Sequence, residues 1–273
     1  MSQPEPFPKI IHALLLLLFF LYVQCVAMVI LKIDRLDKML PDSYLMAIIN
    51  MFSFGTVIAT GYMKTGRPFK EVFPLRSFTW RVIPGLCLAV VGLHIILSEA
   101  DNFIRYYLTL PDFMMQVMEK LLQEKGVLGP VLLLVAVAPL TEELFFRGLV
   151  LQGFIRRYGL KKSILASAAL FSLFHLNPYQ LLAAFVAGIL LGWVAVKSGS
   201  LYPAFLGHAL HNAMPFIVPM LNLRISGYTI VSGNGACFQP LWFDALGVLM
   251  ALAGMIMLRD SLKKAGGVFA PVK

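Results

Sequence analysis

Glu142 and Glu143 stand side by side in an apolar stretch, and Arg147 follows the second glutamate by four residues. An ionisable side chain inside a bilayer costs from a few to more than about 10 kcal/mol, so such residues usually mark a working site. Residues four apart share one face of a helix, which predicts an internal ion pair between Glu143 and Arg147. Glu142, rotated by about 100° around the helix, is then free to act as a base.

Two later apolar stretches carry histidines in the same four-residue spacing. Phe171 precedes His175, and His208 precedes Asn212. A carboxylate with two imidazoles and an amide in a dry cavity is typical of a hydrolytic site. In such a site Glu142 takes a proton from water, one imidazole positions that water, and His208 with Asn212 donates hydrogen bonds to an oxyanion.

The remaining histidines and the single charges allow simpler interpretations. His12, His94 and His211 are each interpreted as a side chain that bonds the backbone of a neighbouring helix. A lone intramembrane glutamate can also be the proton relay of a transporter. Three motifs together, each on its own apolar stretch, favour a catalytic site over these alternatives.

The elements that carry these residues must be membrane helices. Hydrophobic residues make up 59% of the 273 and charged residues only 14%, against about 25% charged in a soluble domain. Since about 20 residues cross a bilayer as a helix, the sequence predicts a single all-α polytopic membrane domain over residues 1–273, with about eight transmembrane helices. The predicted spans are 10–31, 44–63, 82–97, 127–157, 163–176, 180–196, 201–220 and 241–258.

Residues 101–125 differ from these spans because apolar and charged side chains alternate along them. From Phe113 to Leu122 the apolar positions recur at helical spacing, which predicts an additional amphipathic helix in the membrane interface. We interpret this segment as an interfacial connector; a lid or a substrate-guiding element is the alternative. Residues 127–220, which hold all three motifs, form the predicted catalytic core.

The positive charges indicate orientation in the membrane. The formal net charge is +9, yet no basic helix with interleaved aromatic residues accompanies it, so we predict no nucleic-acid partner. Basic residues cluster in alternate loops, and the positive-inside rule then places both termini in the cytoplasm. Three widely spaced cysteines predict neither a disulfide framework nor a zinc site.

The motifs also resemble those of a known family, the CAAX-protease and bacteriocin-processing intramembrane endopeptidases, which includes the type II CAAX prenyl endopeptidases. The matching residues are Glu142-Glu143 with Arg147, Phe171 with His175, and His208 with Asn212. The resemblance covers about a third of the chain and implies a helical membrane protease. By this likeness Glu142 is the general base, His175 its partner on the water, and His208 with Asn212 the oxyanion hole. Glu143, Arg147 and Phe171 would support the site.

We expect no cofactor, although zinc is the alternative. A zinc site would need Glu142, His175 and His208 within about 2 Å of one ion, and we favour a glutamic mechanism over it. The expected substrate is a membrane-anchored protein or peptide, met in the lipid bilayer. Whether that substrate is prenylated, and whether the role is maturation, immunity or removal of a sorting tail, stays open. A proton-coupled transporter and a catalytically inactive immunity or scaffold protein are the alternative functions.

Overall fold

The computed structural model describes residues 5–33, 40–108, 126–229 and 237–264, and within them the chain is helical with no β-strand. The helices are numbered here in chain order. They are α1 (Ile10–Ile33), α2 (Asp42–Met63), the short α3 (Phe69–Val72), α4 (Val82–Tyr107), α5 (Leu128–Tyr158), α6 (Leu160–Phe174), α7 (Pro178–Ser198), α8 (Tyr202–Met220) and α9 (Leu241–Lys264).

Six of the described helices are long and apolar enough to cross a membrane: α1, α2, α4, α5, α7 and α9. The all-α prediction is therefore confirmed, and the chain is an integral multi-pass membrane protein. The predicted number of eight spans is not confirmed, because spans 163–176 and 201–220 correspond to α6 and α8, which are not among the six. Helix α6 has 15 residues, about 22 Å of rise, against roughly 30 Å of hydrocarbon. Helix α8 has 19 residues, but His208, His211 and Asn212 lower its hydropathy, and it is not apolar enough to count among the six.

Helix α5 is the centre of the bundle. More than half of its apolar window, 56%, is buried, whereas the corresponding share is 22% in both α1 and α9. The largest apolar cluster joins α5 to α1, α2, α6, α7 and α8 around Phe145, Phe146 and Phe171. The Glu pair therefore lies on the helix that is most enclosed by the others.

Helices α4 and α9 pack against each other along small residues. A Cβ on Gly92 would lie 2.6 Å from the Gly247 carbonyl oxygen, and a Cβ on Gly254 would lie 2.7 Å from the Ala89 Cα. Real Cβ atoms do not approach other atoms this closely, so both positions require glycine for the helices to meet. We call this contact the glycine seam.

Helix α4 continues to Tyr107, ten residues past the predicted end of the third span. Charged residues near its end suggested a boundary, but Arg105 Nε contacts Asp101 Oδ2 at 2.7 Å one helical turn away, which offsets both charges. Residues 101–107 of the predicted interfacial connector therefore belong to α4. Residues 109–125, including the predicted amphipathic helix, lie outside the described residues.

Candidate active site

The Glu pair lies between two wide turns of α5. The segments Leu132–Val137 and Leu144–Val150 are π-helical, and the segment Ala138–Glu143 between them is α-helical. Pro139, near the first junction, has no N–H to donate, and its ring would clash with the carbonyl four residues earlier in a regular α-helix. The wider turn before it relieves that conflict. Segments of this kind are rare and are frequent at functional sites.

Side chains from α5 itself and from neighbouring helices donate hydrogen bonds to main-chain carbonyls of these π segments. The bonds run from Asn212 Nδ2 to Leu134 O (2.9 Å), from Thr141 Oγ1 to Val137 O (2.9 Å), from Ser167 Oγ to Phe146 O (3.0 Å) and from Gln152 Nε2 to Arg147 O (3.2 Å). A buried carbonyl without a partner is costly, so these donors stabilise the irregular turns that carry the glutamates. The sequence prediction missed Thr141, Gln152 and Ser167; their signal was a polar side chain within an otherwise apolar helix.

Glu143 is the shared partner of two other site residues. Its Oε1 lies 2.8 Å from Arg147 Nη1, and His208 Nδ1 donates a hydrogen bond to the same oxygen at 2.8 Å. The Arg147 contact does not meet the angle of a hydrogen bond at Nη1, so its attraction is mainly electrostatic. Glu143 is 0% exposed and Arg147 1% exposed, so each charge is compensated by the other, away from water.

Phe171 contacts the cation of the charged pair and both imidazoles. The guanidinium carbon of Arg147 lies 4.3 Å from the Phe171 ring centroid, and Arg147 Nη2 donates a long 3.4 Å bond to Gly188 O. The same phenyl ring meets His175 edge-on at 4.8 Å and His208 edge-on at 5.5 Å. Phe171 therefore fixes the relative positions of the cation and both rings.

Glu142 differs from its neighbour in its pairing: the Oε2 of each glutamate lacks a hydrogen-bond partner among the described residues, but only Glu143 has its other oxygen held by Arg147 and His208. Glu142 is 7% exposed. The nearest imidazole nitrogen, His208 Nε2, lies 3.9 Å away, beyond hydrogen-bond distance. A small polar group between these two atoms could contact both. The carboxylate is therefore available to accept a proton.

His175 ends α6 and presents one free ring nitrogen. Its Nδ1 lies 2.8 Å from Phe171 O, and because a carbonyl only accepts, Nδ1 carries the hydrogen. In the neutral ring Nε2 is then an acceptor. Leu176 follows with φ 49°, and Asn177 Oδ1 accepts a hydrogen bond from Tyr179 N, so the chain turns directly into α7. The tight turn predicted at Asn177-Pro178 is present.

A cavity with a volume of about 100 Å³ lies between α4, α6, α7 and α8. We call it the catalytic cavity because His175, His208 and Asn212, three of the predicted catalytic residues, line it. Its polar lining comes from His175, Gln180, His208, His211 and Asn212, and its other walls are apolar. Four predicted residues, Phe171, His175, His208 and Asn212, therefore border one space. Glu142, Glu143 and Arg147 are not among its lining residues, and the two glutamates are connected to it through His208, whose ring nitrogens lie 3.9 Å from Glu142 and 2.8 Å from Glu143.

Among the residues that the structure describes, His211 and His94 bond no helix backbone, which differs from the interpretation made from the sequence. Their rings contact each other instead, with centroids 5.2 Å apart. His12 accepts a hydrogen bond at Nδ1 from the nearby Lys9 N, at the start of its own helix. Only His211 and Gln180 join the polar part of the cavity lining without having been predicted as site residues.

Comparison with known proteins identifies the central part of the chain. The family model described as "Type II CAAX prenyl endopeptidase Rce1-like" matches residues 124–214, a stretch that contains all three motifs. Neither the curated proteins nor the solved structures give a match. The resemblance found in the motifs is confirmed: over residues 124–214 this membrane protein is similar to the Rce1-like type II CAAX prenyl endopeptidases, a family of membrane proteases.

Proposed function

We propose that the chain is an intramembrane endopeptidase that uses Glu142 and His175 to activate water against a peptide bond. The observation that carries this proposal is the contrast between two adjacent carboxylates. Glu143 Oε1 is held at 2.8 Å by both Arg147 and His208, whereas Glu142 Oε2 lies 3.9 Å from His208 Nε2, beyond hydrogen-bond distance. The Oε2 of each glutamate is buried without a hydrogen-bond partner among the described residues, so the contrast lies in the pairing of Glu143. A buried carboxylate that no cation holds, with an imidazole nitrogen 3.9 Å away, is suited to act as the general base of a hydrolysis.

In the proposed first step Glu142 removes a proton from water while His175 Nε2 accepts a hydrogen bond from the same molecule. The water oxygen attacks the peptide carbonyl carbon, and the carbonyl oxygen becomes an oxyanion. Asn212 donates one N–H to Leu134 O and has a second N–H for this oxyanion. His208 can add a donor when both ring nitrogens carry hydrogen, a form whose positive charge the Glu143 carboxylate offsets.

In the second step the tetrahedral intermediate collapses. Glu142 delivers the proton it accepted to the leaving amine, the carbon–nitrogen bond breaks, and a carboxylic acid and an amine are released. The carboxylate is regenerated, so each cycle consumes one water and needs no other reactant. A positioned donor of the oxyanion type contributes about 10²–10³-fold to such a reaction.

We propose that this chemistry needs no metal ion. Within the described ranges, no three His, Cys, Asp or Glu side chains are placed to hold one ion together. His208 Nδ1 is directed at Glu143, and only its Nε2 faces the Glu142 side. The donor set of Glu142, His175 and His208 does not fit a zinc site in this arrangement.

Chelation is expected to leave the activity of the purified protein unchanged. Dialysis against a strong zinc chelator should remove adventitious metal without lowering the rate, because the base is a carboxylate and not a metal-bound water. Zinc content by mass spectrometry provides the control that chelation was complete. A lost rate that returns with stoichiometric zinc would contradict the metal-free mechanism.

We propose a substrate that is anchored in the membrane and cleaved near its anchored end. Support comes from the enclosure of the site within a bundle of apolar helices and from the apolar walls of the cavity. A family of membrane proteases also fits a membrane-embedded protein or peptide as substrate. Efficient cleavage of the same sequence in a freely soluble protein would contradict this part of the proposal.

The orientation we propose has both termini in the cytoplasm. The loops between α2 and α4 and between α5 and α6 are rich in lysine and arginine, as cytoplasmic loops are. A protease-sensitive tag fused after Lys273 should resist digestion in intact cells and become sensitive once the membrane is permeabilised. Digestion of the tag in intact cells would reverse the orientation.

The function itself is tested by comparing new protein termini in membranes from cells carrying the native chain or Glu142→Gln. A set of membrane-protein termini should disappear with the variant, because Gln keeps the size of the side chain and removes the base. Glu5→Gln, at an exposed carboxylate near the amino end, is the matched control and should change nothing. Unchanged termini, with the Glu142→Gln protein present and folded, would favour a transporter or an inactive scaffold instead.

A further inference from the structure

A second, larger cavity lies next to the catalytic cavity along the contact between α4 and α8. It has a volume of about 640 Å³. Helix α4 lines the catalytic cavity with Val90 and Leu93 and the second cavity with His94 and Ser98. Helix α8 also lines both cavities: its residues up to Asn212 line the catalytic cavity, and those from Met214 onward line the second cavity. Consecutive turns of the same two helices therefore face consecutive cavities.

The boundary between the cavities is a pair of imidazoles. His211 lines the catalytic cavity and His94 lines the second cavity. Their ring planes are inclined by 74° with centroids 5.2 Å apart, so the two rings touch edge to face. Among the described residues neither ring has a hydrogen-bond partner. Each imidazole therefore keeps one donor and one acceptor for water on its own side.

The second cavity extends from His94 to the turn that follows α8. Its far side is built by the turn after α8, where Asn222, Arg224 and Thr229 contribute polar groups and Arg224 is exposed. Tyr228 adds a ring 6.0 Å from His94, and partial burial raises the pKa of its hydroxyl, which therefore stays protonated as a neutral donor. The cavity thus has a polar lining from the turn down to His94.

The catalytic cavity needs a supply of water, because peptide hydrolysis consumes one water in every cycle. Alanine and leucine side chains form most of its α7 wall, and apolar walls offer water no hydrogen bonds. The volume of about 100 Å³ holds only a few waters, which must be replaced as they are consumed. Where the catalytic cavity adjoins the second cavity, its polar lining residue is His211.

We propose that the second cavity supplies the hydrolytic water and that the His94–His211 pair is the passage through which it reaches Glu142. The inference rests on the proposed function, since only a hydrolase consumes this water. Each imidazole offers a water molecule one hydrogen-bond donor and one acceptor, so water can pass along the pair from the second cavity to the catalytic cavity. The pair is outside the three motifs and acts on the supply of a reactant, not on the peptide bond.

Hydroxyl-radical footprinting of the purified full-length protein tests this passage without any substrate. X-ray pulses convert bound water to radicals that oxidise adjacent side chains. Oxidation of Phe171, which borders the catalytic cavity and is 2% exposed, reports the water there, and oxidation of Tyr228 reports the second cavity. The His94→Phe/His211→Phe chain should show about tenfold less oxidation at Phe171, the order expected when buried water loses a hydrogen-bond partner. Tyr228 should be unaffected.

The matched variant is His94→Asn/His211→Asn, whose amides keep a donor and an acceptor at each position. It should retain most of the native oxidation at Phe171. Equal oxidation at Phe171 in the native and the Phe-substituted chains would overturn the proposal. So would an equal loss in the Asn- and Phe-substituted chains, because polarity would then not be what passes water.

A second test uses one chain before and after modification and so does not depend on how the variants fold. Val218→Cys, placed in the second cavity after replacement of the three native cysteines, is reacted with a bulky thiol reagent. Oxidation at Phe171 should fall on labelling, whereas labelling Leu249→Cys on the exposed face of α9 should change nothing. Full labelling at position 218 without a change at Phe171 would overturn the passage. Oxidation at Phe171 does not depend on Glu142, so the two proposals can fail separately. An unchanged Phe171 signal with an inactive Glu142→Gln chain would reject only the water passage. A reduced Phe171 signal with an active Glu142→Gln chain would reject only the proposed catalytic role of Glu142.

Discussion

The Glu142→Gln chain is expected to cleave substrate about 10²–10⁴-fold more slowly than the native chain, because general-base catalysis contributes that much. Its stability should not fall. The native carboxylate oxygen is buried without a hydrogen-bond partner among the described residues, so replacing it by an amide removes an uncompensated charge. The rate is measured on a membrane protein that the comparison of termini identifies, and stability by thermal unfolding in detergent.

The adjacent residue supplies the control for this prediction. Glu143→Gln should lower both stability and rate, since it leaves Arg147 buried without its anion and removes the negative acceptor of His208 Nδ1. The two variants change the same chemical group at neighbouring positions of one helix. A fully active Glu142→Gln chain, or a Glu142→Gln chain that unfolds as readily as Glu143→Gln, would show that the roles of the two carboxylates are assigned wrongly.

The Arg147→Met chain is expected to lose about 3–5 kcal/mol of unfolding free energy, the usual cost of removing one partner of a buried ion pair. Methionine fills the volume but leaves Glu143, which is 0% exposed, as an uncompensated charge. It also removes the cation from the face of Phe171 and the bond to Gly188 O. Denaturant unfolding in detergent micelles measures the loss.

The double variant Glu143→Gln/Arg147→Met separates charge from packing. It should recover a large part of the lost stability, because neither position 143 nor position 147 then holds a buried charge, and the new amide oxygen at position 143 can still accept a hydrogen bond from His208. The four chains form a double-mutant cycle whose interaction energy is expected to be large and favourable. Losses that simply add would show that the pair contributes little and that Arg147 acts through its packing alone.

The sequence predicted the helices and the ion pair because both follow from local spacing. Apolar runs of about 20 residues give the spans, and positions i and i+4 bring Glu143 to Arg147 on their own helix. The same spacing places Phe171 one turn before His175. These contacts depend on a single helix, so no knowledge of neighbouring helices is needed.

Contacts between helices were not predictable in the same way. The order of the motifs does not determine that His208 Nδ1 meets Glu143, 65 residues earlier, nor that His94 meets His211. The π segments were also missed, because a hydrophobic period near 3.6 does not distinguish bonding to the fifth residue from bonding to the fourth. Pro139 was the local signal that a regular turn could not continue.

The glycine seam determines which walls of the cavities can yield. Glycines and alanines bring the α4 and α9 backbones together. The two helices therefore form a rigid plate and resist movement relative to each other. Helix α4 lines both cavities on the other face of this plate. A peptide segment wider than the catalytic cavity must therefore displace the opposite side. There α8 holds Pro215 and Pro219, each of which removes a main-chain hydrogen bond from the helix end that borders the second cavity. The α4–α9 side of the cavities is therefore the rigid side, and the carboxyl end of α8 is the side that can move.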